Sequence, residues 1–382
     1  ARLHMDLLSR CTDGNLLHRA LFHLPESLND AYGESMTRIV SQNQYASRCL
    51  FWTLYACRPL TVPELHFAAS FEPHASAPAK EPSHSEVSML HEAAGLLSID
   101  SVSGTVQLVH RTAEEYLGGP AARVFFPTAK KHIAETCLTI ITSDEVVDEC
   151  YMTKGLSSLE SKNCLLDYAI TYWGDHAREV NDDEQTTQVL IRAFLNKLCW
   201  RRPPLESSYV TTVDIPKRLG FGSYFVDWSA LHVLAYFGIL GKAKRLIKQG
   251  ADTNESENEL GVAALHCAVH RGNERMVELL IEHNANLNAI SKDGNTALHI
   301  AAEQGHRKLI KTLLSRRVNS RIANSQGATA LQLAVGTAYD EATVPLLIKC
   351  RFDMDVQNIV TGNTALHLAV GLKRPRILLF LI

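Results

Sequence analysis

His266 and His270 stand four residues apart, a spacing that on a helix turns two imidazoles toward one metal ion, so a metal centre is the first chemistry this chain suggests. No carboxylate or cysteine occupies a completing position, and no metal is expected there. A thiol nucleophile is the second possibility: Cys137 or Cys150 can be paired on paper with His110 or His132. Nothing local supports the pairing, and Cys137 lies within the helix expected over 133–138, where an apolar cysteine packs. The chain holds neither a GxSxG elbow nor a GxxxxGK[ST] phosphate loop, and Gly238-Ile239-Leu240-Gly241-Lys242 reads as merely a helix turn. No catalytic residue and no cofactor is expected, and the chain reads as an interaction protein. Arg307, Lys308, Lys311, Arg316 and Arg317 form a basic stretch, read either as a partner patch or as a solvated helix face.

The elements that carry these histidines recur. Five copies of one phrase follow each other: SALHVLA from Ser229, AALHCAV from Ala263, TALHIAA from Thr296, TALQLAV from Thr329 and TALHLAV from Thr364. Successive copies lie 34, 33, 33 and 35 residues apart, and each opens a short helix that a second apolar-periodic helix follows. Gly238, Gly272 and Gly305 close the first helix, while Asp293-Gly294 and Gln326-Gly327 mark turns that need a positive φ. Thr296 is placed to cap its helix, and Leu298, Ala301 and Ala302 give a narrow apolar face for the next copy to stack on.

Over roughly the last 150 residues the chain closely resembles the ankyrin repeats. That resemblance implies a structural role for Ser229, Thr296, Thr329 and Thr364 and for His232, His266, His299 and His367, each histidine tying its repeat to its own cap and to the neighbouring turn. Gln332 breaks the pattern. The fourth repeat, with Gln332, the stretch 336–341 and Pro345, is where distortion or a specialised surface is expected.

The first half reads differently. Apolar residues at Met36, Ile39 and Val40, and again at Cys49, Leu50, Trp52 and Leu54, predict two helices, and Thr61 with Glu64 forms a capping box for a third. A loop follows from Phe71 to Glu86, then a short helix through Met89 and Ala93. Alternation around Ser103-Gly104 predicts a hairpin, and Thr112 with Glu115 predicts the cap of the helix into Tyr116-Leu117. Three helices followed by a two-stranded wing is the order of a winged-helix domain.

Leu24-Pro25, Arg58-Pro59-Leu60-Thr61, Gly95-Leu96-Leu97, Val109-His110-Arg111-Thr112, Glu115-Tyr116-Leu117 and Tyr172-Trp173-Gly174-Asp175-His176 together resemble fungal NACHT-type ankyrin proteins of the signal-transducing NTPase (STAND) class. In that class an ATPase module precedes a winged helix of the GPI inositol-deacylase type. The resemblance implies a mainly α fold with a small β-wing. Residues 1–23 would be the helical tail of a preceding NACHT-type module, 24–125 the winged-helix-like domain, 126–200 a helical connector, 201–226 a linker and 227–382 about five ankyrin repeats. Both ends read as cuts in a longer protein. The repeats would sense a partner and the winged helix relay that state to the NTPase, with oligomerisation confined to the full-length protein; a constitutive scaffold with no nucleotide switch is the alternative.

Charge narrows the partner. Residues 1–200 hold 16 Lys and Arg against 25 Asp and Glu, and residues 201–382 hold 22 against 16. Neither half concentrates the basic charge that phosphates require, so no nucleic acid is expected. Nine scattered cysteines read as reduced core filler, and no run of about 18 apolar residues or leader pattern appears, so no membrane contact is expected and the protein is placed inside the cell, in cytoplasm rather than nucleus. The partner is expected to be a protein bound on the concave side, at Tyr236, Phe237, His270, Arg271, Glu303 and Gln304 of the inner helices and Ile290, Lys292, Asn295 and Asn363 of the turn tips. Against this stand two plainer readings. These side chains solvate the surface, or Tyr236 and Phe237 pack beneath the preceding segment because the first repeat has no repeat before it.

Overall fold

The computed structural model describes residues 28–73, 92–93, 95–143, 164–180, 185–198, 228–256, 261–336, 343–349 and 354–382. The chain divides between Phe194 and Leu195 into two compact units. The expected tail at 1–23, the linker at 201–226 and most of the short helix around Met89 lie outside the described residues.

In the first unit, α1 (Leu28–Gln42) and α2 (Gln44–Tyr55) part at Asn43, whose side chain accepts the Ala46 N–H at 2.8 Å and so caps α2. Met36, Ile39, Cys49, Leu50 and Trp52 are buried as the helical spacing required, whereas Val40 is exposed and Leu54 half-buried. In α3 (Val62–Ser70), Pro63 fills the first turn and the Glu64 carboxylate accepts the Thr61 N–H at 2.8 Å. Burial alone would raise the Glu64 pKa, but a two-pronged clamp from Arg58 at 2.6 and 3.0 Å, with Thr61, holds it below the usual carboxylate range.

The wing pairs β1 (Leu97–Ile99) antiparallel with β2 (Val106–Leu108), Ser98 opposite Gln107, and Gly104 turns between them at a φ of 66°. It is pinned to the start of α3, because Val106 N–H donates to the Leu60 carbonyl at 2.8 Å. The next helix, α4 (Arg111–Leu117), begins earlier than the Thr112–Glu115 pattern predicts. His110 is still extended at the N-cap, Glu115 pairs with Arg111 at 2.9 Å, and the Thr112 hydroxyl shares a hydrogen bond with Tyr32 at 3.0 Å. After α5 (Pro120–Phe125), the helices α6 (Ala129–Thr142), α7 (Leu166–Arg178) and α8 (Gln185–Leu198) form the connector. Trp173 lies 4.4 Å from Phe194 between ring centres, and buried Glu135 accepts from Thr186 and, at 3.1 Å, from Thr187.

The cysteines are not uniformly core filler. Cys49, Cys137 and Cys267 are buried, whereas Cys57 and Cys164 are exposed.

In the second unit five helix pairs succeed one another: α9 (Ala230–Phe237) with α10 (Leu240–Lys248), α11 (Ala264–His270) with α12 (Glu274–Glu282), α13 (Ala297–Glu303) with α14 (Arg307–Ser315), α15 (Ala330–Gly336) with α16 (Thr343–Lys349), and α17 (Ala365–Gly371) with α18 (Pro375–Leu381). Leu231, Leu265, Leu298 and Leu331 are each at most 2% exposed. At about 2 kcal/mol per buried leucine, one such row is a large share of what holds a repeat in its stack. Turns at Gly294 and Gly327 adopt φ of 72° and 70°, and a Cβ there would stand 2.6 Å from the Ser325 and Ile359 nitrogens. Only glycine lets the next repeat's backbone approach that closely.

Candidate partner-binding face of the repeat stack

The phrase histidines are the framework of this face. His232 accepts the Ser229 N–H on Nδ1 at 3.3 Å, which fixes the proton on Nε2, and Nε2–H donates to the Val262 carbonyl of the following turn at 2.7 Å. His266 links the Ala263 N–H, 3.0 Å, to the Ala289 carbonyl, 3.0 Å, and His299 links the Thr296 N–H, 3.2 Å, to the Ala328 carbonyl, 3.1 Å. His367 takes the Thr364 N–H at 3.3 Å and shares a bond with its hydroxyl at 2.9 Å. Burial opposes the charged imidazolium, so His232 and His299 are held below the usual histidine range and His266 falls to about 4.

Gln332 does not distort its repeat. Its Oε1 accepts the Thr329 N–H at 2.9 Å, and its Nε2 donates to the Val356 and Asn363 carbonyls at 2.8 and 3.0 Å. An amide offers the same acceptor-then-donor pair as a neutral imidazole. The stretch 337–342 lies outside the described residues.

Metal and thiol readings lose their ligands. Both ring nitrogens of His266 are taken, and the His270 ring stacks on Tyr236, centres 6.1 Å apart. Among the described residues no group of three His, Cys, Asp or Glu side chains stands ready for a metal. Cys137 is buried and its thiol pKa is driven far up by that burial; His132 packs edge-on against Phe51 and is pushed down to about 4, chiefly by burial. Cys150 is outside the described residues.

The nominated binding residues divide. Tyr236 and Phe237 are 6% and 1% exposed and pack, with the Arg271 guanidinium 4.9 Å above the Tyr236 ring. Asn295 gives its side-chain oxygen to Asn324 at 3.0 Å, and the Asn363 carbonyl is taken by Gln332 and Asn358. Those four are part of the scaffold. His270, Arg271, Gln304, Ile290 and Lys292 are exposed, and Glu303 is partly so. Together they line the inner-helix ends and turn tips of the second and third repeats.

Sequence reasoning missed what stiffens the face. Asn273 Nδ2 donates to the Ala235 and Tyr236 carbonyls at 3.1 and 2.6 Å, His306 Nε2 to the His270 carbonyl at 3.3 Å, and Arg374 to the Gly336 carbonyl at 3.4 Å. Each reaches from the loop of one repeat to the inner-helix end of the repeat before. The signal was available: positions 273, 306 and 374 share one register, each one residue past a positive-φ position. Asn324 and Asn358 fix the tips in the same way, each accepting two backbone N–H groups of its own turn. The Asn358 turn presents Ile359 and Val360, 83% and 73% exposed.

A family model described as ankyrin repeats in three copies matches residues 231–323, and one described as the winged helix domain of GPI inositol-deacylase matches residues 33–123. No curated protein matches the chain. The repeats mark this part as a protein-interaction module. Among the described residues no helix is long and apolar enough to cross a membrane.

Proposed function

We propose that the repeat stack is the partner-binding arm of a signalling protein, that a protein partner seats on its concave face, and that the winged helix relays occupancy to an upstream NTPase of the NACHT type. The observation that carries this reading is preorganisation. Arg271, Lys292 and Ile290 stand exposed on a helix end and a turn that side-chain bonds lock to their neighbours, with Gln304 exposed beside them, so little ordering entropy opposes a partner. Binding, with no catalysis and no cofactor, is the work assigned to this chain. The order of winged helix before ankyrin repeats resembles that of fungal STAND proteins and supports the relay.

A constitutive scaffold is the second reading. It is favoured by how firmly the wing, α3 and Arg58–Glu64 are tied together, which suits a strut as well as a relay. The test uses the 382-residue chain as bait in native extract, followed by binary binding of the purified partner. The triple variant Arg271→Ala/Gln304→Ala/Lys292→Ala should weaken the binary complex by about thirtyfold, on the order of 2 kcal/mol over three contacts. Equal affinity for both baits overturns the assigned face. Partner binding that shifts with ATP or ADP in the full-length protein separates the switch from the scaffold.

A further inference from the structure

The turns that lead into α13, α15 and α17 at the tips of the stack are each closed by a backbone bond across the neck: Ser291 N–H to the Asn295 carbonyl, Asn324 to Ala328 and Asn358 to Asn363, all at 2.9 Å. The first two enclose Lys292-Asp293-Gly294 and Ser325-Gln326-Gly327, and the third encloses Ile359-Val360-Thr361-Gly362, one residue more. Gly294 and Gly327 accordingly donate their N–H three residues back, to Ser291 and Asn324, whereas Gly362 reaches four back, to Asn358, each at 2.8 Å. The longer turn carries two large apolar side chains where the others carry polar ones, and it leaves Ile359 83% and Val360 73% exposed. Exposure belongs to the position, since Lys292, Asp293, Ser325 and Gln326 are exposed although a following turn stands beside each pair. Polar tips close the fold as well, so folding does not ask for the apolar pair.

Nor is the turn loose. Asn358 accepts the Val360 and Thr361 N–H groups at 2.9 Å each, and its Nδ2 donates to the Gln326 carbonyl of the preceding tip at 2.9 Å. Gly327 leaves room for the backbone of Ile359, whose nitrogen would stand 2.6 Å from a Cβ there. The turn is therefore set in one backbone conformation beforehand, and burying its side chains costs little further entropy. We propose that Ile359 and Val360 form an apolar finger that seats in an uncharged hollow of the protein bound on the concave side. The finger extends the concave-side reading, on which it rests, along the tips from Ile290 and Lys292 before α13 to the fifth repeat. Charge separates the two places: Lys292 and Asp293 stand on the earlier turn, while 356–366 holds no charged residue, so the partner gains there by dehydration and not by ion pairing. A lipid surface suits the turn less, because it carries no basic residue to meet anionic headgroups.

The test takes the protein captured by the 382-residue chain, purifies it, and measures the binary complex by calorimetry. Ile359→Ser/Val360→Ser should weaken the complex at least about tenfold and make its heat-capacity change less negative, because less apolar area leaves water. Ile359→Leu/Val360→Leu should stay within about threefold of the parent, and Ser325→Ala/Gln326→Ala on the neighbouring tip within about twofold. Unchanged amide exchange across 356–364 shows that the serine variant keeps its turn. If Arg271→Ala/Gln304→Ala/Lys292→Ala weakens the complex and the serine variant does not, the finger is overturned and the concave face stands. If the serine variant alone weakens it, the finger stands and the inner-helix ends fall. Three results overturn the finger as a protein contact: weaker binding with an unaltered heat-capacity change, no protein captured at all, or binding to phosphatidylcholine vesicles with roughly one-fifth phosphatidylserine that the serine pair abolishes.

Discussion

Replacing Gln332 tests whether the cap-to-turn bridge, rather than the histidine that usually builds it, holds a repeat in place. Gln332 is 2% exposed and satisfies three backbone groups: the Thr329 N–H, in a residue itself 3% exposed, and the Val356 and Asn363 carbonyls. Gln332→Leu keeps volume and burial but orphans the Thr329 N–H and the Val356 carbonyl, while the Asn363 carbonyl keeps the Asn358 N–H. A buried N–H left unpaired costs about 1–3 kcal/mol and a partly covered carbonyl on the order of 0.5–1 kcal/mol, so about 2–3 kcal/mol is expected. Gln332→His restores an acceptor for Thr329 and a donor for one carbonyl and should cost about 1 kcal/mol or less. A repeat stack does not unfold as one unit, so the assay is local: amide hydrogen exchange across 329–336, alongside urea denaturation of the chain followed by circular dichroism. Exchange there should accelerate by about a hundredfold in the leucine variant and less than about tenfold in the histidine variant. Equal protection in Gln332→Leu and the parent chain, or equal loss in both variants, refutes the reasoning.

His266 makes stability pH-dependent. Its folded pKa is about 4 against about 6.5 when unfolded, so the unfolded state takes up its proton first; stability is complete above pH 6.5 and declines as pH falls toward 4, by up to about 3 kcal/mol. His232 and His299 act in the same direction, and urea midpoints between pH 7.5 and 4.5 should fall less steeply in His266→Gln, which keeps the bridge and removes the titration. Gly294→Ala meets both a φ of 72° and a contact 2.6 Å from the Ser325 nitrogen, whereas Gly250→Ala meets a φ of 97° with open space. The first should destabilise by about 3 kcal/mol and the second by about 1, read from the same midpoints. Arg317 holds a φ of 60° at a position where the first repeat has Gly250, so Arg317→Gly should stabilise by about 0.5–1 kcal/mol, and an unchanged or lowered midpoint would count against strain there.

The repeats were legible because a period of about 33 residues repeats every local choice together: cap, leucine, small residues and turn glycine. Gln332 was misread because the pattern was taken as a residue type, when the fold needs only an acceptor and a donor at that reach. Tyr236 and Phe237 occupy register positions that are exposed or partly exposed in the next two repeats, and nothing in the period tells that the first repeat buries them. The staples at Asn273, His306 and Arg374 hid behind three different residue types, since a backbone carbonyl accepts from amide, imidazole or guanidinium alike. At Thr112 the pattern named the wrong cap because the backbone after β2 stays extended only as far as His110, and a Thr-x-x-Glu string carries no information about where the strand lets go.

The winged-helix order raises the question of what α3 does, since in a DNA reader the third helix lies in the major groove with its side chains turned outward. Here Val62, Glu64, Leu65, His66, Ala68 and Ala69 of α3 are all buried. Both carboxylate oxygens of Glu64 are held by Arg58, which also lies over the Tyr168 ring of α7 at 5.3 Å. The Cys57 N–H just before α3 donates to the Tyr168 hydroxyl at 2.9 Å, which in turn donates to His176 at 2.7 Å. Burial keeps the imidazole neutral, its pKa pushed down to about 4, so the chain of contacts stays intact across the neutral pH range. The connector helix thus grips the segment that opens α3, and a displacement of α7 would be felt at the wing through Arg58, Leu60 and Val106. A helix buried and held in this way is built to couple neighbouring elements of its own unit, which is the mechanical property a relay and a strut share.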